Sequence, residues 1–525
     1  MERHHNKRLH YHAFSLSDQQ QGEEAKQYEQ YKKCAKLEDI NTWGAIHDDI
    51  YFEILSFLPS HFIIHDCSLV SKQFSRIIQG YRLKLEIKLA PPIEEITRDG
   101  LLSRYPMLHS LAVSSSIALK TPKDYLPASF YRLIPEKLKE LGHLCLSRCG
   151  VGNAEFELLS NLKYLKVLDL SYNYLTDKSS HHVIDLHNLE TLNISNNDIG
   201  VEWCRNISNL DNLTSLNISS SINKKDSDCS VEYILSMNNL TFLDISSGCI
   251  SCLIIDKNLI GLQRLKTLVS NHNFNTSRNF LSDTTLKSLI NLPNLNTLDI
   301  SNSFLSFGGF KCVPQMKQLT SFSMRSVAMR DSNHSDILDL VFSMNNLTFL
   351  DISGNAVYYM GGDTIDRELV RFDQLTTFIS SANTMGNLTL KSLANLPNLK
   401  LLDLSDCFLK DDDRRLISEM KQLTSLNLRG NRLANCWCKY ISKLVNLKTL
   451  NISNNKKIGS RGIKYITQMH QLTSLDISDN RLSNRSCELI SNLFNLIELD
   501  IRGCKISDFG LSFFRNLKNL KNLKY

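Results

Sequence analysis

A chain of 525 residues with 42% hydrophobic content is too long for one compact core, so its length indicates several domains or an array of repeats. The low counts of proline (10) and glycine (21) exclude collagen-like and low-complexity chains. The net charge of +6 arises from 60 basic residues dispersed among 54 acidic ones, without a long basic stripe in the sequence, and so indicates no nucleic-acid partner.

Residues 1–40 are predicted to be a disordered basic and polar tail. This tail has no apolar run of signal-peptide length, and no stretch of the chain reaches the about 18 apolar residues of a membrane span. The fourteen cysteines are spread singly, which is typical of packing in a reducing compartment rather than of disulfide pairing. We therefore expect a cytoplasmic protein, or a nuclear one, that does not bind a membrane.

Residues 41–80 carry a helical pattern of apolar residues. Four of them recur every four residues, and a proline then ends the helix: Ile46, Ile50, Ile54, Leu58 and Pro59. A second apolar stretch follows and contains Leu69 and Val70. Residues 81–140 are rich in proline, and the sequence leaves open whether they form a linker or degenerate first repeats, including an irregular unit at Leu108, Leu111 and Val113.

A repeat of the form L-x-x-L-x-L-x-x-N occupies residues 141–525. Its second leucine position falls at about 16 places between Leu144 and Leu523, and nine of the fifteen steps equal 24 residues. Each unit begins with a short alternating strand and continues into a helical pattern. A single unit cannot bury its own leucines, so neighbouring units must stack.

The last position of the repeat holds asparagine, with cysteine as a substitute. The residues are Asn173, Asn197, Asn273, Asn355, Asn383, Asn431, Asn455 and Asn480, and Cys149, Cys407 and Cys504. We expect the buried amide to bond backbone groups where the chain turns off its strand. This pattern resembles the leucine-rich-repeat family, which implies an α/β solenoid with parallel strands on the concave side and a helical or irregular convex side.

The segment in front of the repeats resembles an F-box, a small all-α module. The resemblance rests on Asp48 and Asp49, on Leu58-Pro59, on the stretch from Val70 to Lys72 and on Phe74. His47 stands where the family usually has proline, and Phe74 where it often has tryptophan. The resemblance implies docking on a Skp-type adaptor and a cullin complex through Ile46, Ile50, Ile54, Leu58, Pro59, Leu69 and Val70. The alternative is that these residues form the core of a helical cap on the solenoid.

The sequence contains no phosphate-binding loop, nucleophile elbow or metal-spaced cluster that supports catalysis. Cys436 and Cys438 lack the second pair of ligands that structural zinc needs, and the isolated pair His181-His182 is typical of a solvated surface. We therefore expect no enzyme activity, no metal and no cofactor.

Two candidate surfaces for a protein substrate follow from the repeat. Seven carboxylates recur at one strand position, among them Asp299, Asp351 and Asp403, and such a column favours a basic ligand. The alternative is that the column is part of the repeat itself. The second candidate is the long loop that carries Tyr358 and Tyr359, which either meet a partner or pack beneath their own loop.

The predicted function is a substrate receptor of an SCF-type ubiquitin ligase, in which the front helices bind the adaptor and the solenoid holds the substrate. A stand-alone protein-interaction scaffold with a helical cap is the alternative. A third hypothesis, a GTPase-activating repeat protein, requires an arginine finger from Arg325, Arg429 or Arg502.

Overall fold

The computed structural model describes residues 84–89, 108–115, 126–222, 232–247, 261–271, 283–329, 334–355, 364–369 and 372–525. The tail at 1–40 and the predicted F-box segment at 41–80 lie outside the described residues, and so do Tyr358 and Tyr359. The chain divides into two compact units, Met1–Leu213 and Thr214–Tyr525.

Parallel strands, each paired with the next along the chain, form the described part of the first unit. They are β1 (Lys84–Leu89), β2 (Ser110–Ser115), β3 (His143–Cys145), β4 (Val167–Asp169) and β5 (Thr191–Asn193). The connections contain α1 (Ala128–Lys137), α2 (Asn153–Leu159), a 3-10 helix (Asp177–Asp185) and α3 (Val201–Ile207). Leu111 on β2 lies opposite Leu144 on β3, so the parallel sheet extends to residues before the counted repeats.

The second unit continues the same design over a longer stretch of chain. Its strands are β6 (Ser215–Asn217), β7 (Phe242–Asp244), β8 (Thr267–Val269), β9 (Thr297–Asp299), β10 (Phe304–Leu305), β11 (Ser321–Ser323), β12 (Ala328–Met329), β13 (Phe349–Asp351), β14 (Thr364–Ile365), β15 (Thr377–Ile379), β16 (Thr384–Met385), β17 (Leu401–Asp403), β18 (Ser425–Asn427), β19 (Thr449–Asn451), β20 (Ser474–Asp476), β21 (Glu498–Asp500) and β22 (Asn522–Lys524). Two short parallel pairs, β10 with β12 and β14 with β16, stand apart from the main ladder.

Short helices follow most of these strands. They are α4 (Asp283–Leu289), α5 (Phe307–Phe310), α6 (His334–Phe342), α7 (Asn387–Asn395), α8 (Asp413–Glu419), α9 (Asn435–Ile441), α10 (Ser460–Ile466), α11 (Asn484–Ile490) and α12 (Asp508–Ser512), with 3-10 helices at Val313–Gln315 and Phe513–Asn516. Most of these helices bury apolar side chains, and α9 buries Trp437, Cys438 and Ile441 in this way.

The core of each repeat is a layer of leucine or isoleucine side chains. In the repeat that contains β19, Leu447, Leu450 and Ile452 are each at most 1% exposed. Leu450 pairs in register with Leu426 on one side and Leu475 on the other. Burial of one such side chain contributes about 1.5–3 kcal/mol. Because each layer is covered by its neighbours in the stack, the repeats of a unit stabilise one another.

The asparagine that follows the strand is a buried hydrogen-bonding centre in several repeats, as the sequence predicted: Asn173, Asn355, Asn383, Asn431, Asn455 and Asn480 are buried, whereas Asn197 is half-buried and Asn273 lies outside the described residues. Nδ2 of Asn455 donates to the carbonyl oxygens of Leu428 and Ile452, both at 3.0 Å, and Oδ1 accepts from the N–H of Leu433 at 2.8 Å. Cysteine fills the same place at Cys407, whose Sγ donates to the carbonyl of Ser380 at 2.9 Å. The residue just before this position often has a positive φ, which is +52° at Asn454.

A second asparagine ladder, which the sequence analysis missed, lies just before the first leucine of the repeat. Asn446, Asn495 and Asn519 each donate from Nδ2 to a carbonyl one repeat earlier, at distances of 2.8–2.9 Å. These side chains are exposed, in contrast to the buried ladder at the other end of the strands. The two ladders tie successive repeats together at both ends of their strands.

We expect Asn455→Ala to reduce the free energy of unfolding by about 3–5 kcal/mol, because it leaves several buried backbone groups without a partner. Asn446→Ala is the matched control. It removes one exposed bond to the carbonyl of Lys421, and its cost should stay below about 1 kcal/mol. Urea denaturation followed by circular dichroism measures both, and equal losses in the two variants would contradict the assignment.

Candidate protein-binding face

The strands of the second unit present one row of side chains that we call the central row, made of the third residue of each strand in the main ladder. It contains Asn217, Asp244, Val269, Asp299, Ser323, Asp351, Ile379, Asp403, Asn427, Asn451, Asp476, Asp500 and Lys524. The middle residue of each strand points into the core, as Leu402 does at 0% exposed. Strand alternation therefore turns the central row away from the core.

The carboxylates of the central row first serve the turn that follows their own strand. Oδ1 of Asp351 accepts from the N–H of Ser353 at 2.9 Å and from its hydroxyl at 2.6 Å. Asp299 and Asp403 accept the corresponding N–H two residues later, at 2.9 and 2.8 Å. The asparagines of the row make the same bond, for example Asn451, at 2.9 Å. This supports the view that the column is part of the repeat.

The second carboxylate oxygens have partners in neighbouring repeats. Oδ2 of Asp403 accepts from Nδ2 of Asn427 at 2.8 Å, and Oδ2 of Asp299 accepts from Nδ2 of Asn271 at 3.2 Å. Oδ2 of Asp351 lies 3.7 Å from Nε of Arg325. The three predicted substrate-binding aspartates thus share one row, but each carboxylate already has a hydrogen-bond or ionic partner within the protein.

Apolar residues interrupt the acidic row at two places that sequence reasoning did not single out. Val269 lies between Asp244 and Asp299, and Ile379 lies between Asp351 and Asp403. Adjacent strands lie about 4.8 Å apart, so each of these aspartate pairs is separated by about 10 Å. Their mutual repulsion is therefore weaker than that of an unbroken ladder.

Burial changes the acid strength of some carboxylates in this row. Burial raises the pKa of Asp351 above its usual value, and bonds from Ser353 and the charge of Arg325 oppose that rise. Burial likewise raises the pKa of Asp244. These carboxylates are harder to ionise than exposed ones because the charged form loses solvation.

Family models match the repeats over much of the chain. A leucine-rich repeat region model matches residues 135–378, a leucine-rich repeat model matches residues 443–466, and another matches residues 471–493 and 495–517. These residues are leucine-rich repeats. The fold class expected from the sequence is thereby confirmed for the repeats.

Solved structures similar to this chain include an internalin and a leucine-rich-repeat protein. An internalin from Listeria monocytogenes is 22% identical over 66% of this chain and 82% of its own, with a TM-score of 0.38. A leucine-rich-repeat protein from Leptospira interrogans is 19% identical over 86% of this chain and 98% of its own, with a TM-score of 0.40. No curated protein matches the sequence.

Arg325, Arg429 and Arg502, the candidates for an arginine finger, each lie two residues after the central-row position of their repeat. Arg502 forms an ion pair with Asp500 at 2.6 Å, and Arg325 faces Asp351. Arg429 is exposed, and its backbone N–H donates to Oδ1 of Asn427 at 3.1 Å. Two of the three guanidinium groups are thus held by neighbouring carboxylates.

The described leucine-rich repeats show no group of three or more histidine, cysteine or acidic residues that could hold a metal ion. Cys436 is exposed and Cys438 is buried on the same helix, and both are free thiols. None of the helices that the structure describes is long and apolar enough to cross a bilayer. The adaptor-binding residues predicted at 46–70 and the tyrosines at 358 and 359 lie outside the described residues.

We expect Asp351→Asn to leave the protein at least as stable as the parent at neutral pH, because the amide oxygen still accepts the Ser353 bonds. The native state holds the Asp351 proton more tightly than the unfolded state, so this group lowers stability as pH rises through its raised pKa. That part of the pH dependence should disappear in the variant. Urea denaturation from about pH 4 to about pH 8 measures it.

Asp351→Leu is the contrasting variant. It removes the acceptor and should cost about 1–3 kcal/mol, because the N–H of Ser353 then lacks its partner in a buried place. If Asn and Leu at this position destabilise the protein equally, the charge of Asp351, rather than its role as an acceptor, supports the turn.

Proposed function

We propose that this chain is a non-catalytic protein-binding scaffold, in which the strand face of the second unit captures a protein and residues 41–80 tether that protein to a cullin-RING ubiquitin ligase. The observation that supports capture is the stretch of the central row from Asp244 to Asp403, in which every second residue is an aspartate and the residues between are Val269, Ser323 and Ile379. Support for tethering comes from the F-box resemblance of residues 41–80, which precede the repeats. The adaptor would be of the Skp type, and ubiquitin transfer would belong to other subunits.

The chemistry of the central row suggests the class of protein that it captures. Ile379 and Asp403 are half-buried and Asp351 is buried, so a ligand would meet an aliphatic surface beside the carboxylate of Asp403. Leu401 and Phe349 lie on the two neighbouring strands and add apolar surface. A segment that alternates basic and aliphatic side chains complements this face in charge and in apolar contact.

Replacing three aspartates by asparagine tests the charge without removing the turn bonds. We expect Asp299→Asn, Asp351→Asn, Asp403→Asn together to weaken binding of a labelled peptide of alternating lysine and leucine by about tenfold at low ionic strength. Fluorescence anisotropy measures the affinity. The matched control, Asp336→Asn, Asp373→Asn, Asp412→Asn, changes the net charge equally at exposed positions away from the strand face, and it should bind as the parent does.

Adaptor binding tests the tethering step. We expect the full chain to bind a Skp-type adaptor in isothermal titration calorimetry and Ile50→Asp, Ile54→Asp to abolish that binding, because charged side chains do not fit an apolar interface. The control variant Val445→Asp, Phe494→Asp places the same change at side chains that are 66% and 58% exposed on the repeats, and it should retain binding.

The experiments test capture by the second unit and tethering by residues 41–80 independently. A folded parent that binds no adaptor, with circular dichroism matching that of the variants, would leave a stand-alone leucine-rich-repeat scaffold as the better account. Capture of the basic peptide would still stand in that case, because it depends on the second unit alone.

A further inference from the structure

Four cations form a row on the helix side of the second unit, which we call the cationic stripe. Lys391, Arg415, Lys439 and Lys464 are 24, 24 and 25 residues apart and occupy corresponding positions on α7, α8, α9 and α10. All four side chains are exposed. These residues lie 24 or 25 residues apart in the sequence, so the row forms only when the repeats stack.

The charge around the stripe is strongly positive. Residues 387–470 contain fifteen lysines and arginines against six aspartates and glutamates, a net charge of +9, whereas the whole chain carries only +6. Within the described residues, none of the four stripe cations forms an ion pair with a carboxylate. By contrast, Arg367 in the preceding repeat is paired with Asp339 at 2.6 Å.

The centre of the stripe contains a tyrosine surrounded by cations. The guanidinium groups of Arg414 and Arg415 lie beside the hydroxyl of Tyr440, and they lower its pKa. The guanidinium of Arg414 lies 5.4 Å from the centre of the Tyr440 ring, and Nζ of Lys443 lies 4.8 Å from it. Nε of Arg414 is buried and has no hydrogen-bond partner in the described structure. Such a cluster of planar guanidinium groups and ammonium groups favours an anionic ligand.

We propose that the cationic stripe is a second docking surface, which binds an acidic polypeptide segment through its carboxylate or phosphate groups. Packed helices lie about 8–10 Å apart. An extended segment places side chains on one face about every 6.6–7 Å, and the long lysine and arginine side chains span the difference. Arg415 and Lys443 beside Tyr440 form the strongest anion position. This surface goes beyond the proposed function, because capture and tethering do not use it.

Two observations favour a polypeptide over a nucleic acid or an anionic membrane. Single-stranded nucleic acids need free aromatic faces for base stacking, and the ring of Tyr440 is already in contact with Arg414 and Lys443. Asp412 and Glu419 are exposed on the same helix region as Arg415, and they repel a continuous polyanion. A polypeptide avoids this repulsion by placing neutral residues there.

The test compares charge reversal on the stripe with charge reversal elsewhere. The stripe variant carries Lys391→Glu, Arg415→Glu, Lys439→Glu and Lys464→Glu. The matched control carries Lys266→Glu, Lys400→Glu, Lys448→Glu and Lys521→Glu, four exposed lysines that share one position at the start of the strands. Both variants change the net charge equally, and circular dichroism verifies that both are folded.

Fluorescence anisotropy of the full chain at low ionic strength gives the readout. The ligands are a labelled peptide of alternating glutamate and serine, the same peptide with phosphoserine, and an oligothymidine of similar length. We expect the parent to bind the acidic peptides, the stripe variant to bind them at least about tenfold more weakly, and the control to change by less than about twofold. The ratio between the two peptides tells whether carboxylate or phosphate is preferred.

Three results would overturn the proposal. A folded parent that binds neither acidic peptide has no such docking surface. An equal loss of affinity in the control would show that net charge alone attracts the peptide. Tighter binding of oligothymidine, lost in the stripe variant, would assign the surface to nucleic acid.

Discussion

Many repeats of this protein depend on an amide side chain at the point where the chain leaves its strand. Asn455 satisfies backbone groups of its own turn and of the preceding repeat with one side chain, and it is 0% exposed. Without such a side chain the turn would leave polar backbone groups buried and unpaired, at a cost of about 1–3 kcal/mol for each group. Cys407 fills the same position with one weaker donor because it is small enough to fit there.

The regular spacing that these turns impose also arranges the surface. Side chains 24 or 25 residues apart in sequence become neighbours in a row, so the charge pattern of the folded chain differs from that of the linear sequence. The strand face of the second unit collects Asp244, Asp299, Asp351 and Asp403, whereas its helix side collects the cationic stripe. The second unit thereby carries an acidic strand face and a basic helix side.

The aspartates of the central row each present two carboxylate oxygens with different surroundings. One oxygen of Asp351 holds the next turn, and the other faces Arg325. The side-chain oxygens of Asn427 and Asn451 accept the corresponding backbone N–H in their own turns. The turn therefore requires an acceptor and does not require a charge. Charge at such a position is therefore free to vary between repeats, and the positions where aspartate flanks Ile379 or Val269 distinguish the second unit.

The sequence by itself determined the repeat, its strands and its buried asparagines, because leucine and asparagine recur at positions that only a stack of similar units can satisfy. It also predicted which aspartates share a row. Only the tertiary structure decided what these side chains contact: that Oδ1 of Asp403 holds Ser405, that exposed asparagines form a second ladder, and that Tyr440 lies among Arg414, Arg415 and Lys443. These contacts join residues of different repeats, and their geometry depends on how the repeats stack, which no local pattern encodes.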